Sequence, residues 1–404
     1  MSTQQQKEQN WRSALLEAWR FIEAEGISAT IEGTAALKIQ GCAIHDDSIH
    51  ISIQWDALEQ FYQTVRKRTA CELKRDNDSC FFTFQLNEYS IRISGYFGTV
   101  IRTDPDRLLL SVESCQVAVK SFGYFLHTLP QSDSLREIVK DYLRRLQNTD
   151  AGQNGHAWNN EAYQAWINRF GKPEQAAAKI KENPAAKLGA LAPYLKEIQG
   201  EKIINLLGSH GSKALALALM GAQVTVVDIS SENAAYAKNV ADALHVTLNY
   251  VISDVLQLPV DQHKEKYDKV FMELGILHYF IDLEPLAELV FSILKPGGQF
   301  LIQEFHPVST KLVTTRGKRQ IVFGNYFDQS LHARQVAFSK HLSHGEKRNG
   351  EKARTVFLRE WTLGEIVTAF AQAGLIVQRL DETPNMKIND IGLPKLFTLI
   401  CLKP

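Results

Sequence analysis

Gly208, Ser209, His210 and Gly211 form a small-residue loop between an apolar run and an Ala/Leu-rich segment, and the next apolar run ends on Asp228. A loop of this kind lets backbone N–H groups approach a ligand at the mouth of a helix, and a carboxylate ending the following strand can accept both hydroxyls of a ribose. Asp254 follows a third apolar run, Glu273, His278 and Tyr279 follow a fourth in MELGILHYF, and Glu304 and His306 close a fifth in QEFHP. Histidine exchanges protons near neutral pH without large perturbation, which makes His278 and His306 candidate general bases.

These residues need a scaffold that brings strand ends together. Strands are expected at Ile203–Leu207, Gln223–Asp228, Leu248–Ile252, Lys269–Glu273 and Gln299–Phe305, with helices at Lys213–Met220, Glu232–Leu244 and Leu283–Leu294. Regular alternation implies a parallel, doubly wound sheet, and the interval from Gly211 to Asp228 accommodates one helix and one strand. A helix at Thr362–Ala373 and strands at Leu375–Leu380 and Lys395–Leu402 follow, which fits a sheet whose last strand inserts antiparallel. Thr362 with Glu365 reads as a capping box.

The motifs NLLGSHG, VVDIS, SDVLQLP, MELGILHYF and LKPGGQF occur in this order, and through them residues 158–404 resemble the class I S-adenosylmethionine-dependent methyltransferases. The resemblance implies an α/β fold with a Rossmann-like doubly wound seven-stranded sheet, S-adenosylmethionine as cofactor and methyl transfer to a small molecule by in-line displacement. It assigns cofactor contacts to Tyr163, Gly208, Ser209, His210, Gly211, Asp228, Ile229, Asp254, Val255 and Glu273, with Asp254 facing the adenine amino group. Tyr279, Glu304, Tyr326 and Arg359 are assigned to the substrate. The family pattern (D/E)xGxGxG falls on Asn205, Leu207, Ser209 and Gly211, so only the final glycine is kept in place. A nicotinamide dinucleotide would use the same strand–loop–helix physics, but GSHGS lacks the full G-x-G-x-x-G, and the PGG turn favours the methyltransferases.

The chain has 404 residues, 45% hydrophobic and 22% charged, enough for two or three domains. Equal numbers of basic and acidic residues speak against a dedicated nucleic-acid or membrane-surface binder. Five cysteines without CxxC spacing suit reduced thiols, and no run is apolar and long enough to span a membrane, so a cytoplasmic protein without a metal site is expected. The turn-forming stretch QNTDAGQNG (147–155) suggests a seam between an α+β domain at 1–150 and the methyltransferase-like domain at 156–404. An insertion at about 307–356 is basic; from Lys311 to Arg354 the excess is seven positive charges, which suits either a lid attracting an anionic substrate or a solvated flap.

In the N-terminal region, Gly33-Thr34 precedes a strand reading Ser48-Ile49-His50, with Asp46 and Asp47 just ahead of it. This resembles a nucleotidyltransferase-like domain, but Arg92 stands where a third acid is due, and the expectation is a degenerate relative without metal catalysis. A non-catalytic binding protein and an RNA methyltransferase are the competing functions; the oligomeric state is open.

Overall fold

The computed structural model describes residues 3–68, 71–343 and 354–404. The chain divides into two compact units, Met1–Arg144 with Phe327–Gln329, and Arg145–Tyr326 with Ser330–Pro404. The division falls inside a continuous helix, Ser134–Trp158, in place of the turn-rich seam that composition predicts. The helix persists because its amides have partners: Gln147 donates to the Tyr279 carbonyl and accepts from the Ile281 N–H, and Asn154 accepts from the Phe357 N–H.

The first unit is built on β1 (Ala29–Glu32), β2 (Ile49–Ile53), β3 (Lys74–Arg75), β4 (Ser79–Leu86), β5 (Tyr89–Tyr96), β6 (Arg107–Val112) and β7 (Cys115–Lys120), in the order β3-β4-β5-β2-β1-β7-β6. The sheet is mixed: β2 runs parallel to β5, while β4–β5 and β6–β7 are antiparallel hairpins. Alternation along β4 buries Cys80, Phe82, Phe84 and Leu86 on one face, as the two-residue period of a strand requires. The first helix, Thr3–Ala24, buries Trp11, Leu15, Ala18 and Ile22 at helical spacing.

The second unit contains β8 (Lys202–Leu206), β9 (Gln223–Asp228), β10 (Asn249–Ile252), β11 (Tyr267–Glu273) and β12 (Leu294–Phe305). Two hairpin-like pairs follow, β13 (Val313–Arg316) with β14 (Arg319–Val322), and β15 (Leu331–Gln335) with β16 (Thr355–Arg359); β17 (Ile376–Pro384) and β18 (Pro394–Leu402) finish the chain. The main sheet has the order β10-β9-β8-β11-β12-β18-β17, with β18 antiparallel to both neighbours. β8 to β12 are mutually parallel, so the loops after them meet at one edge. Val224 to Asp228 is buried without alternation because helices cover both faces. Leu215, Ala216 and Val240 pack on one face, and Leu286, Val290 and Phe370 on the other.

Ahead of β8 the chain forms a four-residue helix, Pro184–Lys187, followed by a 3₁₀ segment, Gly189–Tyr194, that contains Pro193. Gly189 at φ +55° and the proline ring end the α conformation. The basic insertion is neither wholly flap nor wholly lid. Val336, Phe338 and Leu342 join the core, with the Phe338 ring 5.3 Å from Trp158, while Arg354 is buried on Glu161 at 2.7 Å. Lys347, Arg348 and Lys352 of the insertion lie outside the described residues.

Candidate cofactor and acceptor site

The loop after β8 keeps a glycine-type backbone with few glycines. Leu207, Ser209 and Gly211 have φ of 51°, 48° and 71°, so the three positions where the family pattern carries glycine are all left-handed. L-residues pay for this conformation, and tertiary contacts hold it. The Ser209 N–H donates to Asp228 Oδ2 at 2.9 Å and its carbonyl accepts from the Tyr250 hydroxyl at 2.6 Å, while the Gly211 N–H donates to the Gly208 carbonyl. Gly208 is required for space: a Cβ there would lie 2.5 Å from Asn205 Oδ1 and 2.7 Å from Val226.

Asp228 ends β9 facing this loop. Its Oδ1 accepts from the Ser230 N–H and from Asn233 Nδ2, each at 3.0 Å. Burial pushes its carboxyl up, against the pull of these donors and Ser209. Ser230 also caps the helix Ser231–Leu244, which fixes Asn233 beneath the carboxylate. Ile229 abuts the helix Ser134–Trp158: a Cβ on Gly155 would come within 3.0 Å of its side chain. Asp254 caps a short 3₁₀ turn by accepting from the Leu256 N–H at 3.1 Å, and burial raises its pKa against the pull of that bond. Glu273, at the end of β11, forms an ion pair with Lys213.

His210 turns inward from the loop, its ring 4.6 Å from both Trp166 and Phe170. Burial, with Arg169 nearby, pushes its pKa down to about 4. Trp166 donates to Asn233 Oδ1 at 2.7 Å, so a single asparagine links the aromatic cover to Asp228. Tyr163 does not reach the loop. Its hydroxyl accepts from Asn239, two turns along the helix from Ser231, and Trp166 occupies the covering position instead. Sequence reasoning missed Asn233 and Tyr250, since neither has a motif of its own; both are recognisable only by the atoms they touch.

On the other half of the edge, the backbone after β11 is pinned from several directions. Glu304 accepts from the N–H groups of Gly275 at 2.6 Å, Ile276 at 2.8 Å and Leu277 at 3.3 Å, as well as its neighbour Phe305. Trp361 donates to the Leu277 carbonyl, and Arg359 donates to the Ile281 carbonyl while pairing with Glu365 and stacking 3.7 Å over Trp361. The capping box of Thr362 and Glu365 forms as expected, and Tyr326 accepts from the Leu363 N–H at the same helix start. Glu304, Arg359 and Tyr326, assigned to substrate by the family pattern, thus have structural partners that position the loop.

The two histidines separate. His306 has both ring nitrogens engaged: Nδ1 accepts from the Val308 N–H, so Nε2 carries the proton donated to Glu382 at 2.6 Å. That arrangement binds β12 to β17 and leaves no nitrogen to serve as a base. His278 sits on the pinned loop beside Tyr279, and among the described residues its ring nitrogens have no hydrogen-bond partner. Burial, with Arg334 adding to it, pushes its pKa down to about 4. Tyr279 accepts from Trp158 Nε1 at 3.2 Å; burial raises its pKa, against the pull of this bond, and the charges of Asp228 and Glu304 add to the rise.

The residues present fit S-adenosylmethionine. Asn205 Oδ1 and Ser209 Oγ are buried without a hydrogen-bond partner among the described residues. Such orphaned groups in and beneath the loop suit a polar ligand. In the first unit, the acids are internally committed. Asp46 accepts from Thr34 and Ser48, which lower its pKa, and Asp47 pairs with Lys7 and Lys38. His50 and Arg92 stand opposite each other on β2 and β5.

The order of the main sheet, its antiparallel β18 and the loop–carboxylate pair define a class I methyltransferase fold. Residues 207–302 match the family described as a methyltransferase domain. A demethylmenaquinone methyltransferase from Clavibacter sepedonicus is 31% identical over 124 residues, covering 31% of this chain; the chain spans about half, 47%, of that relative. Solved structures similar to the chain include an S-adenosylmethionine-dependent methyltransferase from Mesorhizobium loti, 19% identical, covering 53% of this chain and 98% of that one, with a TM-score of 0.41. A magnesium protoporphyrin IX methyltransferase from Synechocystis is 14% identical, covering 63% and 100%, with a TM-score of 0.40.

Proposed function

We propose that the second unit transfers the methyl group of S-adenosylmethionine to a small-molecule acceptor, and that His278 takes the acceptor's proton. The observation that carries this reading is the contrast between the two histidines: His306 is committed on both nitrogens, whereas His278 is unengaged at the sheet edge that holds Asp228. When bound, the cofactor supplies an electrophilic methyl group. Asp228 accepts from its ribose hydroxyls, Asp254 from its adenine amino group, and the loop from Gly208 to Gly211 approaches it with backbone groups.

Burial, with Arg334 adding to it, pushes the His278 pKa down to about 4, so at pH 7 the ring is neutral and one of its nitrogens is unprotonated. The bound cofactor would supply its methyl group to a hydroxyl or amine acceptor and leave as the neutral thioether, and the unprotonated nitrogen of the His278 imidazole would take the acceptor's proton. Tyr279 and Trp158 form an aromatic wall beside that position. Arg334, the described insertion residue whose charge acts on His278, pairs with Glu360 at 3.4 Å and is the cation an anionic acceptor would meet. The first unit is read as a nucleotidyltransferase relative without metal catalysis, supported by the commitment of Asp46 and Asp47 to their neighbours. Among the described residues no helix is long and apolar enough to cross a membrane.

Calorimetric titration with S-adenosylhomocysteine tests the assignment, with saturable binding expected for the full chain and none for NAD. Absence of binding at millimolar ligand, or preference for NAD, overturns it.

A further inference from the structure

The four most exposed large apolar side chains among the described residues are Met386 at 86%, Ile388 at 81%, Val322 at 72% and Ile391 at 68%. Val322 lies on the β13–β14 hairpin and the other three on the connection between β17 and β18. The two segments form one surface. Gln320 Nε2 donates to the carbonyls of Ile391 at 2.9 Å and Asn389 at 3.4 Å, and the Thr315 hydroxyl donates to the Asn389 carbonyl at 3.3 Å. A cavity of about 400 Å³ lies between them, with Gly317 of the hairpin turn and Lys387 and Ile388 of the connection on its walls.

The surface is also basic. Arg316, Lys318 and Arg319 crowd the hairpin turn and Lys387 sits across from it, all exposed. None of the four makes an ion pair among the described residues. The single acid in the two segments, Asp390, accepts from Asn385 and from the Thr315 hydroxyl, so it is committed to holding the connection on the hairpin. Nothing in the cofactor or acceptor site uses these residues.

We propose that this face docks the protein onto an anionic lipid bilayer, the apolar side chains entering the interfacial layer and the four cations facing lipid phosphates. Exposed apolar side chains flanked by unpaired Lys and Arg are the combination that an acidic membrane surface complements. A second copy complements it poorly: a two-fold contact sets four cations against their own equivalents with one committed acid to meet them. A nucleic acid would satisfy the cations but leave the apolar side chains in water.

Co-sedimentation of the full chain with vesicles tests the proposal, comparing phosphatidylcholine alone with phosphatidylcholine containing phosphatidylglycerol. Binding is expected on the anionic vesicles and to weaken with salt. Lys318→Gln combined with Arg319→Gln should weaken it by about 25-fold, roughly five-fold per charge near the surface. Met386→Ser combined with Ile388→Ser should weaken it by roughly ten-fold or more through lost apolar burial. Both variants should keep the wild-type melting temperature and S-adenosylhomocysteine affinity, since the substituted side chains are exposed. Failure of the wild type to bind anionic vesicles, or binding by both variants as tight as that of the wild type, overturns the proposal. So does lipid-free self-association that Ile388→Ser abolishes, which would assign the face to a second copy.

Discussion

Both units contain a seven-stranded sheet, yet they arrange their strand ends differently. In the second unit five consecutive strands run parallel, so every loop after a strand arrives at one edge and residues from Gly208 to Tyr279 become neighbours. In the first unit, hairpins send successive loops to opposite edges. Its acids, Asp46 and Asp47, lie in the approach to β2 and satisfy hydroxyls and lysines nearby. Strand direction, more than strand number, determines whether polar residues can be gathered for a ligand.

The sharpest test of this contrast lies within the gathered edge. His278→Ala should lower the single-turnover methyl-transfer rate by about 10²–10⁴-fold with cofactor affinity nearly unchanged. His306→Ala should leave that rate near wild type while lowering the melting temperature, because Glu382 loses its partner. Equal and large rate losses in both variants would restore His306 as a base.

The next effect is on stability against pH. Both His210 and His278 are held near pKa 4 when folded, against 6.5 unfolded, so the unfolded chain binds more protons between these values. Their contribution is complete above about pH 6.5 and is lost as pH falls toward 4, by at most roughly 3 kcal/mol from each. Denaturant titrations across that range should show a decline that His278→Asn reduces. Unchanged stability between these pH values would show that the two rings are not held neutral by burial.

Asp228→Asn should weaken S-adenosylhomocysteine binding by about 1.5–3 kcal/mol, the range for a hydrogen bond to a charged group, as read by calorimetry. Ser209→Gly should raise stability by about 1 kcal/mol, relieving a left-handed residue and removing a buried, unpartnered hydroxyl. A destabilised Ser209→Gly protein would mean that the loop is not strained at this position. In the first unit, Asp47→Ala should leave S-adenosylhomocysteine affinity unchanged, and the wild type should release no pyrophosphate from ATP with magnesium. Release that this substitution abolishes would erase the difference between the two sheets.

Much of the architecture was legible before any coordinates. The strands ending at Asp228, Glu273 and Phe305 were identifiable from apolar runs bounded by small and polar residues, because strands covered on both faces are rich in apolar residues; the edge strand ending at Ile252 was found from its place in the alternation. The capping box at Thr362 was equally local, since its residues bond to one another across three positions. The stretch at 147–155 misled for the complementary reason: local turn propensity lost to Gln147 and Asn154, whose partners lie more than a hundred residues away.

Residue type alone therefore determined where the loop, the carboxylates and the histidines would fall along the sheet edge. Only the tertiary structure decided what each of them does there. Glu304 became a clamp for three backbone N–H groups, His306 a strand tie and Arg359 a brace, because donors and acceptors from distant segments reached them first. The His278 ring packs against Tyr279 with no hydrogen-bond partner for its nitrogens among the described residues, and hydrogen-bond commitment is a property of three-dimensional neighbours rather than of sequence.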